Sequence, residues 1–337
     1  MIYGHGDDIY NLTAKVIANF STNVWYGADE RLLRKLLEEK AEVVLHYPEP
    51  DAASFRKVVA AYHGLSPEHV VVGNGATELF YLVAHAFAGV STVIPVPSFT
   101  EYEDACALYG HRLTFPGHSE VSAIPEGSRL MFICNPNNPD GRIWTEKEIN
   151  NLLTANPDMI LVVDESFIHF APAARTVCSW LGKFSNLLVI RSMTKSYAIP
   201  GLRLGYMLGE PELIRKIVRF KQPWTVNALA IEIGKYLLEY GEKLLPDAMS
   251  LLERQRCFSM ELSRVAGYYP QLSGTSFFLV KTDYPVGALK CYLLERHGIL
   301  IRDASNFRGL EPVYFRVNTL TGAKNRLLTD ALKSYAG

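Results

Sequence analysis

The sequence predicts an α/β protein built on a mostly parallel sheet of about seven strands flanked by helices, with a smaller α+β unit attached. Three observations predict it. Short apolar runs recur along the chain ("HVVVG", "STVIPV", "RLMFICN", "MILVVDE", "NLLVIRS", "LRLGYMLG"), and several are apolar throughout rather than alternating, as expected of strands covered on both faces. Helical stretches separate them, which is the rhythm of parallel crossovers. After Pro223 the character shifts to long helices and then to short strands mixed with helices.

The elements follow in order. Residues 29–45, "DERLLRKLLEEKAEVVL", place Leu32, Leu33, Leu36 and Leu37 at helical spacing and charges on the other side, so a helix packing that stripe on the core is expected. "AASFRKVVAAYHG" and "ATELFYLVAHAFAG" read as helices around the first central strand. Residues 225–265 read as long helices. The end reads as strand "TSFFLVKT", a helix to His297, strands "GILIRDA" and "VYFRVNT", and a last helix. A large α/β domain is therefore placed at 46–220, and a small α+β domain combines 1–45 with 221–337.

Composition narrows the class. The 337 residues are 48% hydrophobic, enough for one large or two modest domains, and the net charge of -1 offers nothing to nucleic acid or an anionic membrane. Five scattered cysteines form no CxxC and none stands near a histidine at ligand spacing, so neither a disulfide framework nor a metal site is expected. No apolar stretch has the length of a signal peptide or a membrane span, and the expectation is a reduced, cytoplasmic protein.

Ligands of open parallel sheets bind at the carboxyl ends of the strands, so the polar residues there matter most. "VVVGNGATELF" ends a strand at Gly73, Asn74 and Gly75 and starts a helix, which suits a phosphate cradle and equally an ordinary tight turn. Glu78 stands where a dinucleotide fingerprint would have its third glycine. "FICNPNNPDG" presents Asn135, Asn137 and Asn138, and "MILVVDESF" ends in Asp164 and Glu165, where a carboxylate needs a cation or donors. "SMTKSYAIPGLRLGY" supplies Lys195 among hydroxyls and Arg203 beyond a Pro-Gly break. A desolvated lysine near other cations becomes a nucleophile or base. An anion cradle, an amide, a carboxylate and an amine together suit pyridoxal 5'-phosphate, whose phosphate, phenolic oxygen, ring nitrogen and aldehyde need those partners.

The ordered motifs "GNGATE", "PSFTEYE", "NPNNPDG", "DESF" and "SMTKSYAIPGLRLGY" resemble the class I/II pyridoxal-phosphate aminotransferases of fold type I, over nearly the whole chain. The resemblance implies Lys195 as the Schiff-base lysine and proton shuttle, and Asp164 on the pyridine nitrogen. It puts Asn138 on the phenolic oxygen, and Gly75, Ala76, Thr77, Ser192 and Arg203 around the phosphate. It implies that Tyr102 stacks on the ring and that Tyr47 reaches a partner subunit's cofactor, hence a homodimer. It makes His5, Asn23, Arg302 and Arg316 the substrate residues. Phe167 replaces a tyrosine found in many relatives, and Asp7 stands where a glycine is usual.

Two subgroups resemble the chain most, and both act on phosphorylated amino acids or amines. "DESFIHF" and "GILIRDASNFRGLEPVYFRVNT" lean to L-threonine-O-3-phosphate decarboxylases of cobalamin biosynthesis. Histidinol-phosphate aminotransferases are the alternative. A nucleotide-dependent oxidoreductase would leave Lys195 without a role, and a non-catalytic relative would be expected to have lost Lys195 or Asp164.

Overall fold

The computed structural model describes residues 6–10, 12–121 and 124–336. Its centre is the expected seven-stranded sheet. From edge to edge the strands are Val70–Asn74, Leu204–Gly209, Leu187–Ser192, Ile160–Asp164, Leu130–Cys134, Ser91–Val93 and Arg112–Thr114. All neighbours pair parallel except Leu204–Gly209, which runs antiparallel to both of its own.

The unbroken apolar runs are explained by burial on both faces. Val70, Val72, Ile133, Val163 and Val189 point into one core, and Val71, Phe132, Val162 and Leu188 into the other. Each such side chain contributes roughly 1.5–3 kcal/mol when fully buried. The edge strand Arg112–Thr114 was not marked by the apolar pattern. It has one apolar residue between two exposed polar ones, as an edge permits.

Helix Ala228–Tyr240 lies beyond the boundary placed at 220 and packs on the large sheet. Ala230, Ile233 and Leu237 share the first core with Phe55, Val59 and Tyr206. By packing, residues 228–240 belong to the large sheet rather than to the smaller unit.

The smaller unit holds an antiparallel sheet in the order Arg302–Asp303, Tyr314–Asn318, Phe277–Thr282, Tyr268–Pro270. Phe258, Phe278, Leu289, Phe315 and Leu328 fill its core. The N-terminal segment joins it: Ala18–Asn19 pairs parallel with Ile299–Leu300, and Phe20 continues the ladder to Leu300 and Asn318.

The first helix is shorter than expected. Asp29 caps Glu30–Glu39 through its side chain, and the chain then tightens into a 3-10 turn at Ala41–Leu45. Of the leucine stripe only Leu36 is buried, while Leu37, Val44 and Leu45 remain exposed.

Candidate active site

The carboxyl ends of four central strands and one edge of the small sheet enclose a cavity of about 260 Å³. Its floor is the turn from Asn74 into helix Gly75–Ala86. The Asn74 side chain does not cap this helix, so the first-turn N–H groups stay available to an anion, as helix N-termini favour. Gly75 has φ +74°, and a Cβ there would collide with the Arg203 guanidinium. Gly205 is needed on the neighbouring strand because a Cβ would stand 2.7 Å from the Ala76 nitrogen. Together these glycines let Arg203 and the helix start converge. The Arg203 guanidinium donates to the Pro200 carbonyl at 3.3 Å and pairs with no carboxylate among the described residues. Ser192 and Thr194 close the cradle, and the buried Thr194 Oγ1 has no partner among the described residues. Glu78 pairs with Lys221 at 3.0 Å through Oε1 and accepts from the Asn74 N–H at 2.5 Å through Oε2.

Lys195 lies on the short helix Met193–Ser196 and faces the cavity. Burial, then the positive charges of Arg203 and Arg316, lower its pKa to about 8, against the pull of Asp7 and Asp164. An amine in that range is a usable nucleophile and base near neutral pH.

Sheet register sets Asp164 between Cys134 and Ile190. Its carboxylate is buried and accepts from the Tyr102 hydroxyl at 2.5 Å, from the Ser166 hydroxyl at 2.5 Å and from the Ser166 N–H at 2.9 Å. Burial raises its pKa and these donors oppose the rise. The next residue, Glu165, instead forms a buried ion pair with Arg191 at 2.8 Å and holds the 176–178 turn through Thr176 and the Val177 N–H.

Tyr102 corrects an expectation. It does not stack over the site. It is 0% exposed, packed between Phe80 and Phe132, and only its hydroxyl reaches the site, through Asp164. The aromatic wall is Phe99, three residues earlier, with Phe80. Phe99 sits in the loop before helix Thr100–Leu108, where a ring can face the cavity; Tyr102 is one turn into the helix and points to the core. Phe167 lines the cavity edge-on to Phe277, with no hydroxyl to offer.

At the other end lie two arginines. Arg302 and Arg316 are cross-strand partners, both buried and both lining the cavity. Arg316 donates to Asn138 Oδ1 and, at 2.7 Å, to the Ser21 carbonyl. Arg302 donates to the Asp303 carbonyl and, at 2.7 Å, to Asn306 Oδ1. Among the described residues neither meets a carboxylate. Burial lowers Arg316 to about 9, helped by Arg302, and lowers Arg302 to about 10. Two desolvated guanidiniums side by side call for anionic ligands. Asn23 adds a buried amide, 3% exposed, with neither Nδ2 nor Oδ1 partnered among the described residues.

Gly75, Ala76, Thr77, Asn138, Asp164, Ser192, Lys195 and Arg203 thus converge with Asn23, Arg302 and Arg316. Tyr47 does not join them: it is 91% exposed, beside Trp224. His5 lies outside the described residues. Asp7 adopts φ +66°, a conformation that suits the expected glycine, and is tied by Asn19 Nδ2 at 2.6 Å and Ser21 Oγ at 2.9 Å. Sequence reasoning missed Phe99, Ser166 and Phe307, while Thr194 was among the hydroxyls noted beside Lys195. Ser166 had a usable signal, because a hydroxyl two residues past a strand-end aspartate can fold back on it.

The sequence model of the aminotransferase class I and II family matches residues 15–332. The chain belongs to this family. It is accordingly a pyridoxal-phosphate-dependent-type enzyme of the aminotransferase fold. As an aminotransferase-family chain it is 34% identical to a Caldanaerobacter subterraneus protein provisionally named threonine-phosphate decarboxylase, over 98% of this chain and 93% of that one. It is 31% identical to a histidinol-phosphate aminotransferase of Thermoanaerobacter pseudethanolicus, over 90% and 88%. Among solved structures, the L-threonine-O-3-phosphate decarboxylase of Porphyromonas gingivalis superposes with a TM-score of 0.92 at 38% identity, covering 95% of this chain and 99% of that one.

Proposed function

We propose that this aminotransferase-family chain holds pyridoxal 5'-phosphate and acts on a phosphorylated amino acid, as a threonine-phosphate decarboxylase of cobalamin biosynthesis would. The observation that carries the reading is the in-register pair Arg302 and Arg316, buried without carboxylate partners among the described residues, in the same cavity as Lys195. L-threonine phosphate presents a carboxylate and a phosphate at once, one for each guanidinium.

The residues fit the cofactor. The uncapped helix start at Gly75, Ala76 and Thr77, with Ser192, the unpartnered Thr194 hydroxyl and Arg203, would hold its phosphate. Asn138, whose Oδ1 is taken by Arg316, keeps its Nδ2 donor for the phenolic oxygen. Asp164 would hold the ring nitrogen and Phe99 would cover a ring face. When bound, the cofactor supplies an electron sink for the bond broken at the substrate α-carbon. Lys195 Nζ, free as an amine above about pH 8, takes up or delivers the proton at that carbon. Phe80, Phe99, Phe167 and Phe307 give the cavity apolar walls, which exclude water and strengthen the electrostatics inside.

The alternative is histidinol-phosphate transamination, supported by the 31% identical relative. Histidinol phosphate carries one anionic group and would engage one arginine; only its dicarboxylate co-substrate would engage both. Purified enzyme is to be incubated with L-threonine phosphate alone, and separately with histidinol phosphate plus 2-oxoglutarate. Carbon dioxide release in the first supports decarboxylation, and glutamate formed in the second with no carbon dioxide in the first overturns it.

We also infer a homodimer in the cytoplasm, with Tyr47 reaching the partner's cofactor phosphate. Tyr47 and Trp224 form an exposed aromatic pair, and Leu45 is exposed as well. No helix among the described residues is long and apolar enough to cross a membrane. Sedimentation that finds a monomer at micromolar concentration would remove the dimer.

A further inference from the structure

The loop that follows Arg302 leaves the small sheet and ends in a clasp on the large domain. Arg308 donates from Nε to Glu103 Oε2 at 2.9 Å and from Nη2 to Oε1 at 2.5 Å, a bidentate fork. Its guanidinium also lies 4.3 Å from the centre of the Phe115 ring. Glu103 belongs to helix Thr100–Leu108, immediately after Phe99. Gly309, with φ +85°, comes against Val96 and Pro97: a Cβ there would stand 3.3 Å from Val96 Cγ2. Residues 308 and 309 therefore grip both ends of the segment that carries Phe99.

Between clasp and anchor lie two residues that touch Arg302. Asn306 Oδ1 accepts from its Nη2 at 2.7 Å, and the Phe307 ring centre is 5.1 Å from its guanidinium carbon. Phe307 is buried and lines the cavity. At its start the loop is secured by the ladder bond from the Ala304 N–H to the Tyr314 carbonyl at 3.0 Å. At its far end the fork is the charged tie. An arginine side chain has large rotamer entropy, so its affinity for an anion depends on how far its neighbours fix it beforehand.

We propose that Arg308 and Glu103 are positioning residues for Arg302. Their fork holds loop 304–310 against the large domain, so that Asn306 and Phe307 aim the Arg302 guanidinium into the cavity. This rests on the reading that Arg302 and Arg316 take the substrate's anions. It adds that the specificity for an anionic end group is set partly by an ion pair that never touches the substrate.

The test uses the holoenzyme, whose cofactor cradle is filled, and inorganic phosphate as the probe. Arg308→Met and Glu103→Gln are compared with Arg302→Gln by calorimetric titration, with unfolding midpoints measured alongside. Each clasp variant is expected to bind phosphate about fivefold more weakly, the upper range for an exposed but bidentate pair. KM for the phosphorylated substrate is expected to rise by the same factor with kcat within about twofold. The double variant is expected to be no weaker than either single, because both remove one fork. Unchanged phosphate affinity in Arg308→Met, or additive losses in the double variant, would overturn the proposal. If Arg302→Gln itself binds phosphate like the parent, the anion reading falls and the clasp with it. If Arg302→Gln loses phosphate while Arg308→Met keeps it, only the clasp falls.

Discussion

The Tyr102 hydroxyl donates to Asp164 Oδ2 at 2.5 Å from within a fully buried aromatic cluster. With Ser166 on Oδ1, both carboxylate oxygens are held from the protein side, so the aspartate is oriented, and these donors oppose the rise in pKa that its burial causes.

Tyr102→Phe should therefore loosen the cofactor without opening the cavity. One hydrogen bond to a charged group is worth about 1.5–3 kcal/mol. Allowing for relaxation, the expected loss of pyridoxal phosphate affinity is roughly tenfold. Fluorescence titration of the cofactor-free variant reads it directly. An affinity equal to the parent's would show that Tyr102 merely packs.

Lys195 should be distinguishable from every surface lysine by pH. Acylation of the cofactor-free chain, followed by mass spectrometry, is expected to modify Lys195 with a midpoint near pH 8, below the ordinary lysine value of about 10.4. The sign is fixed by desolvation: burial and the neighbouring arginines lower the pKa, so the reactive free amine appears earlier as pH rises. The same shift means that ionisation of this group destabilises the empty fold as pH falls from the unfolded value towards about 8. Lys195→Ala should abolish turnover and flatten that contribution.

Asn23 offers a trade between function and stability. Its amide is buried with no partner among the described residues, and an unsatisfied buried amide costs about 1–3 kcal/mol. Asn23→Leu is expected to raise the unfolding temperature of the free chain and to raise KM for the substrate. A variant that melts lower and keeps its KM would mean that the amide is not aimed at a ligand.

Gly205→Ala tests the cradle. The added methyl would press on the Ala76 nitrogen at 2.7 Å and push the helix start outward. Phosphate-end affinity should fall in the cofactor-free chain, so pyridoxal phosphate and inorganic phosphate should weaken together. Pyridoxal without its phosphate should bind as before.

Much of this site could be read in one dimension. The strand-end rule marked Asn138, Asp164 and the Lys195 segment because parallel strands deliver their last residues to one rim. The apolar runs marked the buried strands because both of their faces are covered. Arg112–Thr114 escaped because an edge strand needs little apolar surface, and the packing of helix Ala228–Tyr240 was not legible because its chain position says nothing about which core covers it.

What the sequence alone determined is the set of reacting groups and their order along the chain, since residue chemistry and strand periodicity are local properties. Which ring faces the cavity was decided only by the fold: Phe99 in a loop and Tyr102 one turn into a helix differ by the direction of a side chain. The pairing of Arg302 with Arg316 and the fork from Arg308 to Glu103 likewise exist only across sheets and domains. Contacts between residues far apart in sequence carry no periodic signal, and a single chain read in order does not contain them.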